Sequence, residues 1–91
     1  MRQGILSKQA QKFLKRLPPK QAAQISRAIL SLKTDPLPPD SKKRKGAPLY
    51  RVDIGEYRAV YDYDEQTATV YIVGKRNDSE VYRLLQRKWR G

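Results

Sequence analysis

From Leu49 onward the chain switches to a strict two-residue period. Tyr50, Val52 and Ile54 alternate with Arg51 and Asp53, and after Gly55-Glu56 the run Tyr57-Arg58-Ala59-Val60-Tyr61 continues in kind. Alternation of this length specifies half-buried strands. Gly55-Glu56 has the two-residue length of a tight hairpin loop, with glycine at the first central position that a type II′ turn needs. Such a loop sets the register: Ile54 opposite Tyr57, Asp53 opposite Arg58, Val52 opposite Ala59 and Arg51 opposite Val60. One face then carries Tyr50, Val52, Ile54, Tyr57, Ala59 and Tyr61. The other carries Arg51, Asp53, Arg58, Val60 and Asp62. A one-residue slip would exchange the faces, so the pattern constrains the fold more than any other feature.

An aromatic face needs a cover, and the preceding residues supply one. Ser7 suits a helix N-cap. Ala10, Phe13, Leu14 and Leu17 follow at i, i+3, i+4, i+7, while Lys8, Lys12, Lys15 and Arg16 lie mostly off that stripe. Pro18-Pro19 ends this helix, and Pro19 fits the first position of the next. Ala22, Ile25, Ala28, Ile29 and Leu32 form the second stripe. Met1–Leu6 reads as an edge strand. Thr34–Pro48, with four prolines and the run Lys42-Lys43-Arg44-Lys45, reads as a loop.

After Tyr63, Asp64–Thr67 reads as a turn and Ala68–Val73 as a third meander strand. Thr69, Tyr71 and Val73 would extend the face of Arg51 and Arg58. Gly74 permits a bulge or sharp bend. Asn77-Asp78-Ser79-Glu80 has the N-cap and N3 residues of a capping box, and Val81, Leu84, Leu85 and Trp89 continue at helical spacing. The expected fold class is α+β, in the order β-α-α-β-β-β-α. An N-terminal edge strand and a helical hairpin lie on an antiparallel sheet, and a C-terminal helix follows. A length of 91 residues fits a single domain over 1–91.

Charge and missing residue types narrow the function. The chain has 20 Lys+Arg against 9 Asp+Glu, a net +11, which predicts a polyanionic partner. The excess is uneven: 12 basic and 2 acidic residues fall in 1–48, whereas 49–74 holds only Arg51 and Arg58 against five acidic residues. There is no Cys and no His. Disulfides, thiolate nucleophiles and Cys-ligated zinc are thereby excluded, as is the commonest general base. No cofactor or metal site is expected. No signal peptide or spanning stretch is seen, so the expected location is cytoplasmic, with no membrane partner.

The segment Leu49–Tyr61 resembles the YR(I/V)…G(D/E)YR(V/A)(I/V)Y hairpin of the RelE/ParE toxin superfamily. Val73-Gly74-Lys75-Arg76 is similar to the GKR that ends its last strand. Ser79-Glu80-Val81-Tyr82 is similar to the (S/D)xVY that follows in RelE-type toxins. The Lys45-Gly46 element also agrees, and the likeness spans essentially the whole chain. It implies a toxin of a type II toxin–antitoxin system: a metal-independent, ribosome-dependent mRNA endoribonuclease with a cognate acidic antitoxin. Cleavage there begins with 2′-hydroxyl attack on the adjacent phosphate. By resemblance, Arg58 contacts the scissile phosphate and Arg76 stabilises the phosphate or leaving group. Tyr82 acts as base or orients the 2′-hydroxyl, and Arg51 matches the first of two basic strand positions. The second, often lysine in the family, is Asp53 here. Alternatives are a ParE-like gyrase poison and a non-catalytic ribosome- or RNA-binding module.

These residue types suit that chemistry. Guanidinium forks match phosphate oxygens bidentately, and stabilising developing charge is usually the largest catalytic effect. A phenol with a pKa of about 10 is a poor base alone. Lys75, Arg76 and Arg83 nearby would favour the phenolate of Tyr82. Lys75, Arg83 and the run Lys42, Lys43, Arg44 and Lys45 are the further RNA-binding candidates. Each has a plainer reading: Arg58 as the ion-pair partner of Asp53, Tyr82 as a core aromatic beside Leu85 and Trp89, and the basic run as a solvated face.

Overall fold

The structure, a computed structural model, describes residues 2–39, 41–43 and 49–76. Its elements are β1 (Gln3–Leu6), α1 (Lys8–Arg16), α2 (Pro19–Ser31), β2 (Ser41–Lys43), β3 (Tyr50–Ile54), β4 (Tyr57–Tyr63) and β5 (Thr67–Lys75). They form a five-stranded sheet in the order β1-β5-β4-β3-β2.

Local chemistry sets the boundaries. Ser7 caps α1, its side chain accepting from the Ala10 N–H, and Pro19 opens α2. Gly55 has φ 60, and no described non-glycine residue has positive φ, which fits the type II′ turn. The β3–β4 register is the expected one, from Tyr50 opposite Tyr61 to Ile54 opposite Tyr57. At the next turn the Asp64 carboxylate accepts from the Gln66 and Thr67 backbone N–H groups. That Asx arrangement closes the chain tightly.

The helices cover the face bearing Val52, Ile54, Tyr57, Ala59 and Tyr61. Ala10, Ile25, Ile29 and Leu32 are buried against it, with Phe13, Leu14 and Leu17 packed alongside. Phe13 meets Tyr57 edge-on at 5.9 Å between ring centroids, a preferred aromatic geometry. The hydroxyl of buried Tyr61 donates to the Pro36 carbonyl. Burial therefore leaves no stranded donor there, and it raises the phenol's pKa.

The sheet differs from the expectation in four places. First, it is mixed: β1 runs parallel to β5, although β2 to β5 are antiparallel. Second, the Thr34–Pro48 segment contains a strand, β2, paired on β3. Its Ser-Lys-Lys sequence suits a polar sheet edge. Third, the irregularity in β5 lies at Tyr71, not Gly74: pairing passes from Val60 opposite Ile72 to Tyr61 opposite Val70. The bulge places Tyr71 and Ile72 together on the face away from the helices. Fourth, and for the same reason, Val73 turns into the helix-side core. The far face instead holds a small cluster of Leu49, Val60 and Ile72, with Tyr71 packed on it.

The bulge is held by α1. The Ser7 N–H donates to the Val70 carbonyl and the Ser7 hydroxyl to that of Tyr71. The Gln9 side-chain amide donates to the Val73 carbonyl at 3.0 Å, and its oxygen accepts from the Val73 N–H at 2.9 Å. A primary amide thus takes the place of a neighbouring strand just past the end of β1, satisfying buried backbone groups. The expected C-terminal helix lies outside the described residues.

Candidate functional site

The face of the sheet away from the helices brings the arginines together. Cross-strand pairing places Asp53, Arg58 and Gly74 in one row across β3, β4 and β5. The next row is Lys42, Arg51, Val60 and Ile72. Alternation of side chains along each strand puts both rows on one face. Gly74 contributes no side chain opposite Arg58, so the position beside the guanidinium is left to groups from elsewhere.

Arg76 follows β5 and reaches that row. Its N–H donates to the Glu56 carbonyl at 2.9 Å, extending the pairing by one residue. Its side-chain Nη1 donates to the Gly55 carbonyl at 3.3 Å. Its Nε lies 3.9 Å from Asp53 Oδ2, while Arg58 Nε donates to Asp53 Oδ1 at 2.7 Å. One carboxylate therefore engages two arginines, one on β4 and one just past the end of β5, one oxygen each. The side chains of Arg58, Asp53 and Arg76 are 12%, 34% and 47% exposed. Arg58 is the fixed member of the set, and Arg76 is the more open one.

The short bond also sets the protonation of the carboxyl group. The hydrogen bond from Arg58, joined by the charges of Arg58, Arg76 and Arg51, holds Asp53 below the ordinary carboxylate value, against the opposing effect of burial. Asp53 is therefore an anion throughout the neutral range. This is the cross-strand pair expected from the hairpin register, now shared with a third residue.

Not every candidate cation lies here. Lys43 pairs with Tyr50, and Lys75 pairs with Tyr57, so both fall on the helix-side face, where they are exposed. Lys42, Arg51, Arg58 and Arg76 share the far face. Arg44, Lys45, Tyr82 and Arg83 lie outside the described residues, as does Trp89. Among the described residues no group of His, Cys, Asp or Glu could hold a metal ion, and no helix is long and apolar enough to cross a membrane. The role of Asp53 as the common partner of Arg58 and Arg76 was not readable from the chain. The Asp53–Arg58 pairing was a signal, but Arg76 follows β5, which is separated from β3 by β4.

Guanidinium groups match the geometry of oxyanions such as phosphate, and those of Arg58 and Arg76 are gathered on this partly exposed sheet face. The comparisons with known proteins agree in fold. No curated protein matches the chain. An arginine-to-alanine mutant of the E. coli toxin RelE in the free state is similar at TM-score 0.78 and 24% identity, with 97% of each chain covered. The toxin in an archaeal RelE–RelB complex from Pyrococcus horikoshii OT3 is similar at TM-score 0.73 and 24% identity, over 84% of this chain and 96% of that one. A YoeB/ParE toxin from Agrobacterium tumefaciens is similar at TM-score 0.68 and 19% identity, over 81% and 98%. Residues 5–80 match the family described as the ParE toxin of type II toxin-antitoxin system, parDE. That match spans most of the sequence: the chain belongs to the ParE toxin family of type II toxin–antitoxin systems, within the RelE/ParE superfamily.

Proposed function

We propose that this toxin is a ribosome-dependent mRNA endoribonuclease that needs no metal. The observation that carries the reading is the convergence of Arg58 and Arg76 on one row of the sheet, with Arg51 and Lys42 in the next. Internal cleavage of RNA forms a bond from the 2′-oxygen to phosphorus and breaks the bond to the 5′-oxygen. The phosphate passes through a more highly charged pentavalent state, which paired guanidinium groups stabilise more than the ground state. Arg58 and Arg76 take that role. Tyr82 takes the 2′-hydroxyl proton or orients that hydroxyl, on the strength of the Ser79–Tyr82 resemblance. Arginine is a poor acid and tyrosine a poor base, so alignment of the substrate by the ribosome would supply much of the acceleration.

The proposal includes a cognate antitoxin: an acidic, amphipathic segment neutralising the basic surface. The RelE–RelB complex among the similar structures supports it. Inducible expression followed by mapping of mRNA 5′ ends tests the activity. New ends within coding sequence are expected, and they should disappear in the Arg76→Ala, Tyr82→Phe double variant. Full growth arrest by that variant counts against the site.

A second reading is favoured by the family description itself, which is that of a ParE toxin. A gyrase poison on this fold would induce a DNA-damage reporter and leave mRNA uncut. A non-catalytic binding module would leave the reporter silent and mRNA uncut, while still binding ribosomes with a steep dependence on salt.

A further inference from the structure

We propose that Asp53 is a positioning residue for this site: it fixes the Arg58 guanidinium and draws Arg76 to the same point, so that both meet one phosphate. The identity of that phosphate rests on the ribonuclease reading above. The positioning rests on geometry alone. An arginine side chain has several rotatable bonds and loses considerable freedom when held still. Arg58 is held by a charge-assisted hydrogen bond from Nε to Asp53 Oδ1 at 2.7 Å, and its side chain is largely buried. Tethering at Nε fixes the plane in which the two Nη groups lie. Arg76 is aligned by backbone and side-chain bonds to Glu56 and Gly55, the two turn residues next to β3. Its 3.9 Å separation from Asp53 Oδ2 is an electrostatic contact rather than a hydrogen bond. A carboxylate with one oxygen toward each arginine holds two like charges close together, which would otherwise repel.

The competing role for Asp53 is that of a counter-ion that merely lowers local charge. The two roles predict opposite effects on cleavage when the charge is removed. Removing a mere counter-ion would tighten phosphate binding and leave cleavage as fast or faster. Removing a positioning group would also leave binding as tight or tighter, but cleavage would slow, because misplacing a catalytic group by about 1 Å costs on the order of 100-fold.

The test combines single-turnover cleavage on programmed ribosomes with NMR of the arginine Nε–H groups. In Asp53→Asn the maximal cleavage rate should fall by about 10- to 100-fold with no loss of ribosome affinity. Exchange of the Arg58 Nε–H with solvent should be slow in the wild type and at least about tenfold faster in the variant. In an Arg58→Lys background, Asp53→Asn should have much less further effect, because its main target is already gone. An unchanged or increased cleavage rate in Asp53→Asn overturns the proposal, and so does fast Arg58 Nε–H exchange in the wild type. Should the variant fail to fold, the wild-type exchange rate still decides. If the wild-type chain does not cut mRNA, the ribonuclease reading fails, and the Nε–H exchange judges the positioning separately.

Discussion

The amide of Gln9 offers a direct test of how the fold carries Arg76 to its site. It exchanges two hydrogen bonds with the backbone of Val73, at 3.0 and 2.9 Å, and Val73 is fully buried. Val73 lies three residues before Arg76 on the same run of chain. Gln9→Ala deletes both bonds and leaves a buried N–H and C=O facing a gap. Each deleted bond costs about 1 kcal/mol, and a buried group left without water costs more, so a total of about 2–3 kcal/mol is expected. For a domain of this size that lowers the melting temperature by about 8–24 °C. Urea denaturation followed by circular dichroism gives the free energy, and hydrogen exchange gives the opening of the Val73 amide. Gln9→Glu should cost at least as much, because it replaces the donor to the Val73 carbonyl with a second oxygen. A loss below about 0.5 kcal/mol for Gln9→Ala, with Val73 still protected, would refute the reasoning, since that is the range of a neutral surface substitution.

Three further outcomes follow from the same geometry. Gly55→Ala should cost about 1–2 kcal/mol in thermal or chemical denaturation, because φ 60 disfavours a side chain and the new methyl would stand 3.0 Å from Gln24 Nε2. Asp53 has a folded pKa below its ordinary value of 3.8, so its pairing stabilises the protein above that value and is lost as pH falls through the folded pKa. The stability advantage of wild type over Asp53→Asn should therefore be constant near neutrality and shrink in acid, as read by urea titrations at several pH values. Replacing Lys8, Lys12 and Lys15, exposed on α1, with glutamine should weaken ribosome binding. The log–log salt dependence should flatten by about 0.7–0.9 for each phosphate that is no longer neutralised.

What the sequence reveals depends on whether polarity marks the phase of each strand. In β3 and β4 it does: Arg51, Asp53 and Arg58 interrupt the apolar residues at period two, and Gly55 fixes the turn, so register and faces were both legible. In β5 it does not. Val70-Tyr71-Ile72-Val73 is apolar throughout, so nothing in the string shows that a bulge at Tyr71 reverses the phase and sends Val73 into the core. The strand β1 is four residues long, too short to reveal a parallel partner. The edge strand β2 is Ser-Lys-Lys and reads as loop, because its partner supplies the apolar surface. Arg58 and Arg76 could be singled out by resemblance, and the Asp53–Arg58 pair by register. The three-way contact needed the path of β5 and the return of Arg76 over the Gly55-Glu56 turn, which only the assembled sheet provides.

The proposed action of the arginine row is on an RNA phosphate, at the sheet face away from α1 and α2. Primer extension on mRNA held in purified ribosomes, comparing the wild-type chain with Arg58→Ala, decides it. Discrete cuts at the ribosomal A site are expected with the wild type, and a loss of about 100-fold or more in rate with the variant. Equal cutting by both proteins, or intact mRNA with the wild type bound, would contradict it.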